Sequence, residues 1–97
     1  MNSIFNECIT KANVSKKGSA LLSNLCKWLT VNNVFDYNCA TSLEDEFNIE
    51  FFFNSSYYQV VIDENDNVNI NYKKFNEKKS NFICTDFVNF FDDLENI

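Results

Sequence analysis

The stretch Phe47-Asn48-Ile49-Glu50-Phe51-Phe52-Phe53-Asn54-Ser55-Ser56-Tyr57-Tyr58-Gln59-Val60-Val61-Ile62-Asp63-Glu64-Asn65-Asp66-Asn67-Val68-Asn69-Ile70-Asn71-Tyr72 decides the fold, because its apolar residues recur with a period of two. Phe47, Ile49, Phe51 and Phe53 share one side, and Asn48, Glu50 and Phe52 the other, which predicts a half-buried strand. Asn54-Ser55-Ser56 supplies turn residues, after which Tyr58, Val60 and Ile62 point inward and Tyr57, Gln59 and Val61 outward. A second turn, Asp63 to Asn67, leads to Val68, Ile70 and Tyr72 alternating with Asn69, Asn71 and Lys73. The prediction is a three-stranded antiparallel β-meander.

Before this stretch the period is helical. Ile4, Phe5, Cys8, Ile9 and Ala12 form a short apolar stripe, predicting a helix from about Ser3 to Ala12. Ser15 can cap a second helix with Leu21, Leu22, Leu25, Cys26, Trp28 and Leu29 on its apolar face and Gly18 weakening its first turn; the Asn32-Asn33 pair ends it. Val34 to Cys39 reads as loop or short strand. Thr41-Ser42-Leu43-Glu44 has the form of a capping box, so Leu43 to Phe47 is one helical turn or loop. After the meander, Lys73 to Ser80 reads as an exposed connection, and Phe82 and Ile83 as a brief extended piece. Thr85 can cap a last helix, with Phe87, Val88, Phe91 and Leu94 as its buried stripe and Phe90 at its margin. Asp92, Asp93 and Glu95 then fall near its negative end, where they cost stability.

These faces predict one domain over residues 1–97. It is a two-layer α+β fold with N-terminal helices and a C-terminal helix on one side of the meander. The opposite sheet face shows Phe52, Tyr57 and Val61 among polar neighbours. That patch is either a contact surface or ordinary exposed apolar area.

Composition excludes several function classes. The 97 residues are 45% hydrophobic with 11 Phe, too apolar for a disordered segment. The net charge is -6 and the pI about 4.4, which disfavours direct nucleic-acid binding and binding to an anionic membrane. No His is present, so the commonest general base and transition-metal ligand are missing. Cys8, Cys26, Cys39 and Cys84 include no Cys-x-x-Cys pair and read as free, partly buried thiols. Asp63-x-Asn65-x-Asn67 imitates the start of a calcium loop. Val68 then stands where that loop needs Gly, and Lys74 where it needs Glu, so a hairpin turn is the better reading. Gly18 is the only glycine, which excludes a glycine-rich phosphate loop. No cofactor, metal or catalytic residue is assigned, and enzymatic activity is not expected. The start of the chain lacks the basic and apolar runs of a signal peptide, and no apolar run has the length of a membrane span; the expected compartment is cytoplasmic.

Charge is segregated along the chain. Residues 36–72 carry eight acids and no Lys, whereas residues 73–79 carry four Lys and one Glu. The acidic candidates for contact with a basic partner are Glu44, Asp45, Glu46, Glu50, Asp63, Glu64 and Asp66, with Phe52, Tyr57 and Val61 as a secondary patch. Solvation of a small protein is the alternative role for such charges.

In size, acidity, the Asn- and Lys-rich composition of an AT-rich coding sequence, and the layout of helix, meander and terminal helix, the chain resembles the small acidic anti-CRISPR and anti-restriction inhibitors encoded by phages. That resemblance implies a non-catalytic protein, a DNA mimic in its acidic part, that binds a CRISPR effector or restriction enzyme and blocks the site where nucleic acid docks. The four Lys between Lys73 and Lys79 depart from a uniformly acidic mimic. Immunity proteins that neutralise a nuclease toxin look similar on the same grounds. A third class is a structural or adaptor domain, a homodimer formed through Phe52, Tyr57 and Val61 or through an exposed sheet edge.

Overall fold

The structure, a computed structural model, describes Thr10, residues 14–41 and residues 46–97. Helix α1 spans Lys16–Val31, followed by strands β1 (Tyr37–Thr41), β2 (Phe47–Phe53), β3 (Ser56–Ile62), β4 (Val68–Lys73) and β5 (Asn81–Thr85), and a short helix α2 (Phe90–Glu95). The strands form one antiparallel sheet in the order β1-β2-β3-β4-β5, each pairing with its neighbour in sequence. The fold is α+β.

α1 is delimited by side chains that satisfy its orphan backbone groups. Ser15 Oγ accepts a hydrogen bond from the Gly18 N–H at 3.0 Å. A Cβ on Gly18 would lie 2.9 Å from Val14 Cγ1, so glycine lets Val14 fold back onto the first turn. At the other end Asn33 takes a left-handed conformation (φ 60°). The Val34 N–H reaches the Leu29 carbonyl and the Asn33 N–H the Thr30 carbonyl, a Schellman closure that buries Val34 against the core.

The central meander matches its periodicity. Phe47, Ile49, Phe51, Tyr58, Val60, Ile62, Val68 and Ile70 are buried beneath Leu21, Leu22, Leu25 and Leu29 of α1. Each such large side chain contributes about 1.5–3 kcal/mol by leaving water. Asn54 and Ser55 both have positive φ (52° and 63°), the twist that a two-residue hairpin loop needs.

The sheet has five strands where the period of two marks three. β1 and β5 are edge strands: the inward-facing Tyr37, Cys39, Ile83 and Thr85 are only half-buried, so neither needed the Val/Ile alternation that identifies a central strand. Among the described residues one long helix precedes the sheet. The predicted helix over Ser3 to Ala12 and the capping-box turn at residues 42–45 lie outside the described residues, Thr10 excepted; Phe47, the proposed end of that turn, opens β2.

The C-terminal helix also departs from expectation. Thr85 ends β5, and Asp86 organises the following turn, its Oδ1 accepting from the Val88 and Asn89 N–H groups at 3.0 and 2.7 Å. The helix therefore begins at Phe90, which is fully buried, while Val88 is 88% exposed. This late start puts Asp92 and Asp93 in the first turn, where the helix dipole favours them. α2 packs Phe90 and Leu94 into the core on the α1 side, leaving the other sheet face without a covering element among the described residues.

Candidate functional site

The strand register sorts the charged residues by end. Phe47 pairs with Ile62, Ile62 with Val68, and Val68 with Thr85, so these residues form one terminal row. Glu46 immediately precedes that row, Asp63, Glu64 and Asp66 lie in the β3–β4 turn beyond it, and Asp86 follows it. Five carboxylates thus share one end of the sheet. In the helix layer of this end Lys17 lines a groove with Phe87 and Phe91. The opposite end carries Lys73, Lys74, Lys78 and Lys79, all exposed, with Glu77 among them. Electrostatically the sheet is a dipole along its strands.

Within the acidic end the carboxylates do different work. Asp63 is a turn organiser: its Oδ1 accepts from the Asn65 and Asn67 N–H groups at 2.9 Å each and its Oδ2 from Asn67 Nδ2 at 2.9 Å. Partial burial raises its pKa, but the hydrogen bonds from Asn67 and Asn65 outweigh it and hold the carboxyl below the usual range. Glu64 and Asp66 project outward, with Asp66 in the left-handed region (φ 64°) that Asp tolerates. Asp86, at the same end, is held below the ordinary carboxylate value by hydrogen bonds from Asn89 and Val88. Sequence reasoning missed it because only the β4–β5 pairing brings residue 86 next to the turn at 63–67.

Glu50 stands apart from this group, in the middle of the uncovered face. Its Oε2 accepts from Tyr57 Oη at 2.7 Å, and Tyr57 meets Phe52 edge to face with ring centroids 5.6 Å apart. Burial first, and then the hydrogen bond and negative charge of Glu50, push the Tyr57 phenol up to about 12. Across the strands the register lines up Asn38, Glu50, Gln59, Asn71 and Phe82, with Asn71 Nδ2 donating to Gln59 Oε1 at 3.1 Å. The neighbouring row is Ala40, Asn48, Val61, Asn69 and Cys84. Val61 is half-buried between two asparagines and separated from Phe52 and Tyr57, so the predicted patch reduces to the Phe52–Tyr57 pair, Phe52 being 68% exposed. The sequence-predicted acids therefore divide: Glu46, Asp63, Glu64 and Asp66 at one end, Glu50 on the face, and Glu44 and Asp45 outside the described residues.

Cys26 and Cys39 are half-buried and flank Tyr37, whose phenol is raised by burial and then by these thiols. Cys84 is exposed on the outer side of β5, and Cys8 lies outside the described residues. The described residues contain no group of three or more His, Cys, Asp or Glu able to hold a metal ion, and none of their helices is long and apolar enough to cross a membrane.

The fold and its charges define a class: a small acidic α+β domain with one packed sheet face, one amide-rich face and a carboxylate-bearing end. Comparison with protein-family models, curated proteins and solved structures finds no match to the chain.

Proposed function

We propose that the protein is a non-catalytic inhibitor acting in the cytoplasm. Its carboxylate-bearing end binds a basic nucleic-acid-handling protein, a CRISPR effector or restriction enzyme, and occupies the site where nucleic acid docks. The observation that carries this reading is the convergence of Glu46, Asp63, Glu64, Asp66 and Asp86 on one end of the sheet. Carboxylates clustered on rigid turns meet Lys and Arg side chains without a large ordering cost, and their field accelerates encounter with a positive groove. Neutralising a nuclease toxin would use the same surface, since such an enzyme also presents cations to nucleic acid.

The test measures nucleic-acid binding by purified effectors while the full chain is titrated in. The expected result is competition that weakens steeply with salt. Glu64→Lys combined with Asp66→Asn removes charge while leaving Asp63 to organise the turn and a left-handed-tolerant residue at 66. This double change, or Glu44→Lys with Asp45→Lys and Glu46→Lys, should raise the inhibitory concentration about tenfold or more. Competition that is insensitive to salt and to both sets of changes would remove the acidic end from the mechanism.

A further inference from the structure

The β5 edge of the sheet has the features of a self-pairing strand. Every second residue of an edge strand directs its N–H and C=O away from the sheet, and proteins guard such edges with charged residues, proline or a covering element. Asn81-Phe82-Ile83-Cys84-Thr85 contains no charge and no proline, and among the described residues nothing pairs on its outer side. Phe82 is 68% exposed and Cys84 is exposed beside it.

The charges at its two ends are opposite. Lys78 and Lys79 precede β5, and Asp86 follows it with the acidic β3–β4 turn alongside. A two-fold axis through Ile83 would set Phe82 opposite Cys84 of a second copy, Asn81 opposite Thr85 and Ser80 opposite Asp86. Lys79 of each copy then falls beside Asp86 of the other, twice over. A parallel arrangement would instead bring lysines to lysines. The other edge, β1, lacks this complementarity: Asp36 precedes it and Glu44-Asp45-Glu46 follow it, with no Lys anywhere in residues 36–72. Self-pairing there brings acids together.

We infer that a second copy of this chain docks antiparallel on β5, joining two five-stranded sheets into one of ten strands with Lys78 and Lys79 of each copy facing Asp86 of the other. Two-fold pairing of this kind closes on itself and leaves no free β5 edge for further growth. The edge is only five residues long, so the dimer is weak and is read at high protein concentration. The pairing is independent of the inhibitor function and does not require a third component.

Sedimentation of the full chain over a concentration series tests it. The mass should rise from 11.4 kDa toward twice that value, less so at high salt. Phe82→Lys, at an exposed position that leaves the core intact, and the pair Lys78→Glu with Lys79→Glu should each weaken dimerisation about tenfold or more. A single mass at all concentrations, a dimer indifferent to both changes, or assembly that continues beyond two copies would overturn the inference. The register has its own measurement. Phe82→Cys, oxidised by air, should give a covalent dimer through Cys84 of the other copy, and adding Cys84→Ser should abolish it. Failure to cross-link, or a cross-link that survives Cys84→Ser, would overturn the pairing about Ile83.

Discussion

Neighbouring residues of the same strand in this sheet meet opposite environments. Ile49, Val60 and Ile70 are fully buried beneath α1 and α2, whereas Glu50, Gln59 and Asn71, one position away in sequence, lie on a face that no described element covers. Both sets share the same backbone ladder, so the ladder does not distinguish them. The difference lies in side chains: the inner set gains by leaving water, and the outer set satisfies itself through hydrogen bonds such as Asn71 to Gln59 and Tyr57 to Glu50. Stability from apolar burial therefore concentrates on one face of the sheet.

The inner face is the more sensitive of the two to truncation. Phe47→Ala empties a fully buried site and should cost about 3–5 kcal/mol in denaturant unfolding. Phe52→Ala, on the outer face of the same strand, should cost about 1 kcal/mol or less, chiefly its edge-to-face contact with Tyr57. Equal losses would mean that the outer face is packed against something. Next in size is the acidic turn. Asp63→Ala removes the acceptor of three hydrogen bonds and should cost about 1–2 kcal/mol. Because the folded pKa of Asp63 is depressed, its contribution is present above the ordinary carboxylate value of about 3.9 and is lost as pH falls through the folded value. Asp63→Ala should therefore flatten the acid limb of the stability curve; an unchanged limb would rule out this turn as its source.

The same contrast explains what was legible in the sequence. A strand buried on one face writes a period of two, and β2, β3 and β4 were readable from Phe47 to Tyr72 with their inward residues correctly assigned. α1 was readable from Ser15 to the Asn32-Asn33 pair because both ends carry residues that satisfy backbone groups chemically. Edge strands carry a weaker pattern: β1 offers Tyr37, Cys39 and Thr41 inward and β5 offers Asn81, Ile83 and Thr85, sets too polar to imply burial. The start of α2 is not legible because Thr85 has the chemistry of a cap, whereas the β4–β5 register, a tertiary fact, keeps Thr85 in the sheet and Asp86 spends its carboxylate on the turn ahead of the helix. The candidate site was legible as a list of acids but not as a grouping, since Glu50 and Asp86 change places only once the strands are paired.

The cross-strand amide pair on the outer face contributes less. In a double-mutant cycle of Gln59→Ala and Asn71→Ala the coupling should be about 0.2–1 kcal/mol, the range of cross-strand pairs. Zero coupling would show that water replaces the Asn71 to Gln59 contact without loss.

The smallest effect concerns Tyr57, and it isolates the two physical causes acting on one group. Its phenol is raised to about 12 against an ordinary 10.0, first by burial and then by Glu50. A raised folded value means that the neutral phenol favours the fold. This contribution is complete below 10.0 and disappears as pH climbs toward 12. Tyr57→Phe should thus remove part of the alkaline loss of stability while costing about 0.5–1 kcal/mol at neutral pH for the hydrogen bond to Glu50. Ultraviolet titration of the tyrosinates reads the causes apart. In Glu50→Gln the late-titrating phenol should move only part of the way back, because the larger cause, burial between Phe52 and the strand surface, is untouched. A full return to the ordinary value would make Glu50 the whole cause and leave the outer face wet at its aromatic pair; no movement would mean that the Tyr57 to Glu50 bond does not persist in solution.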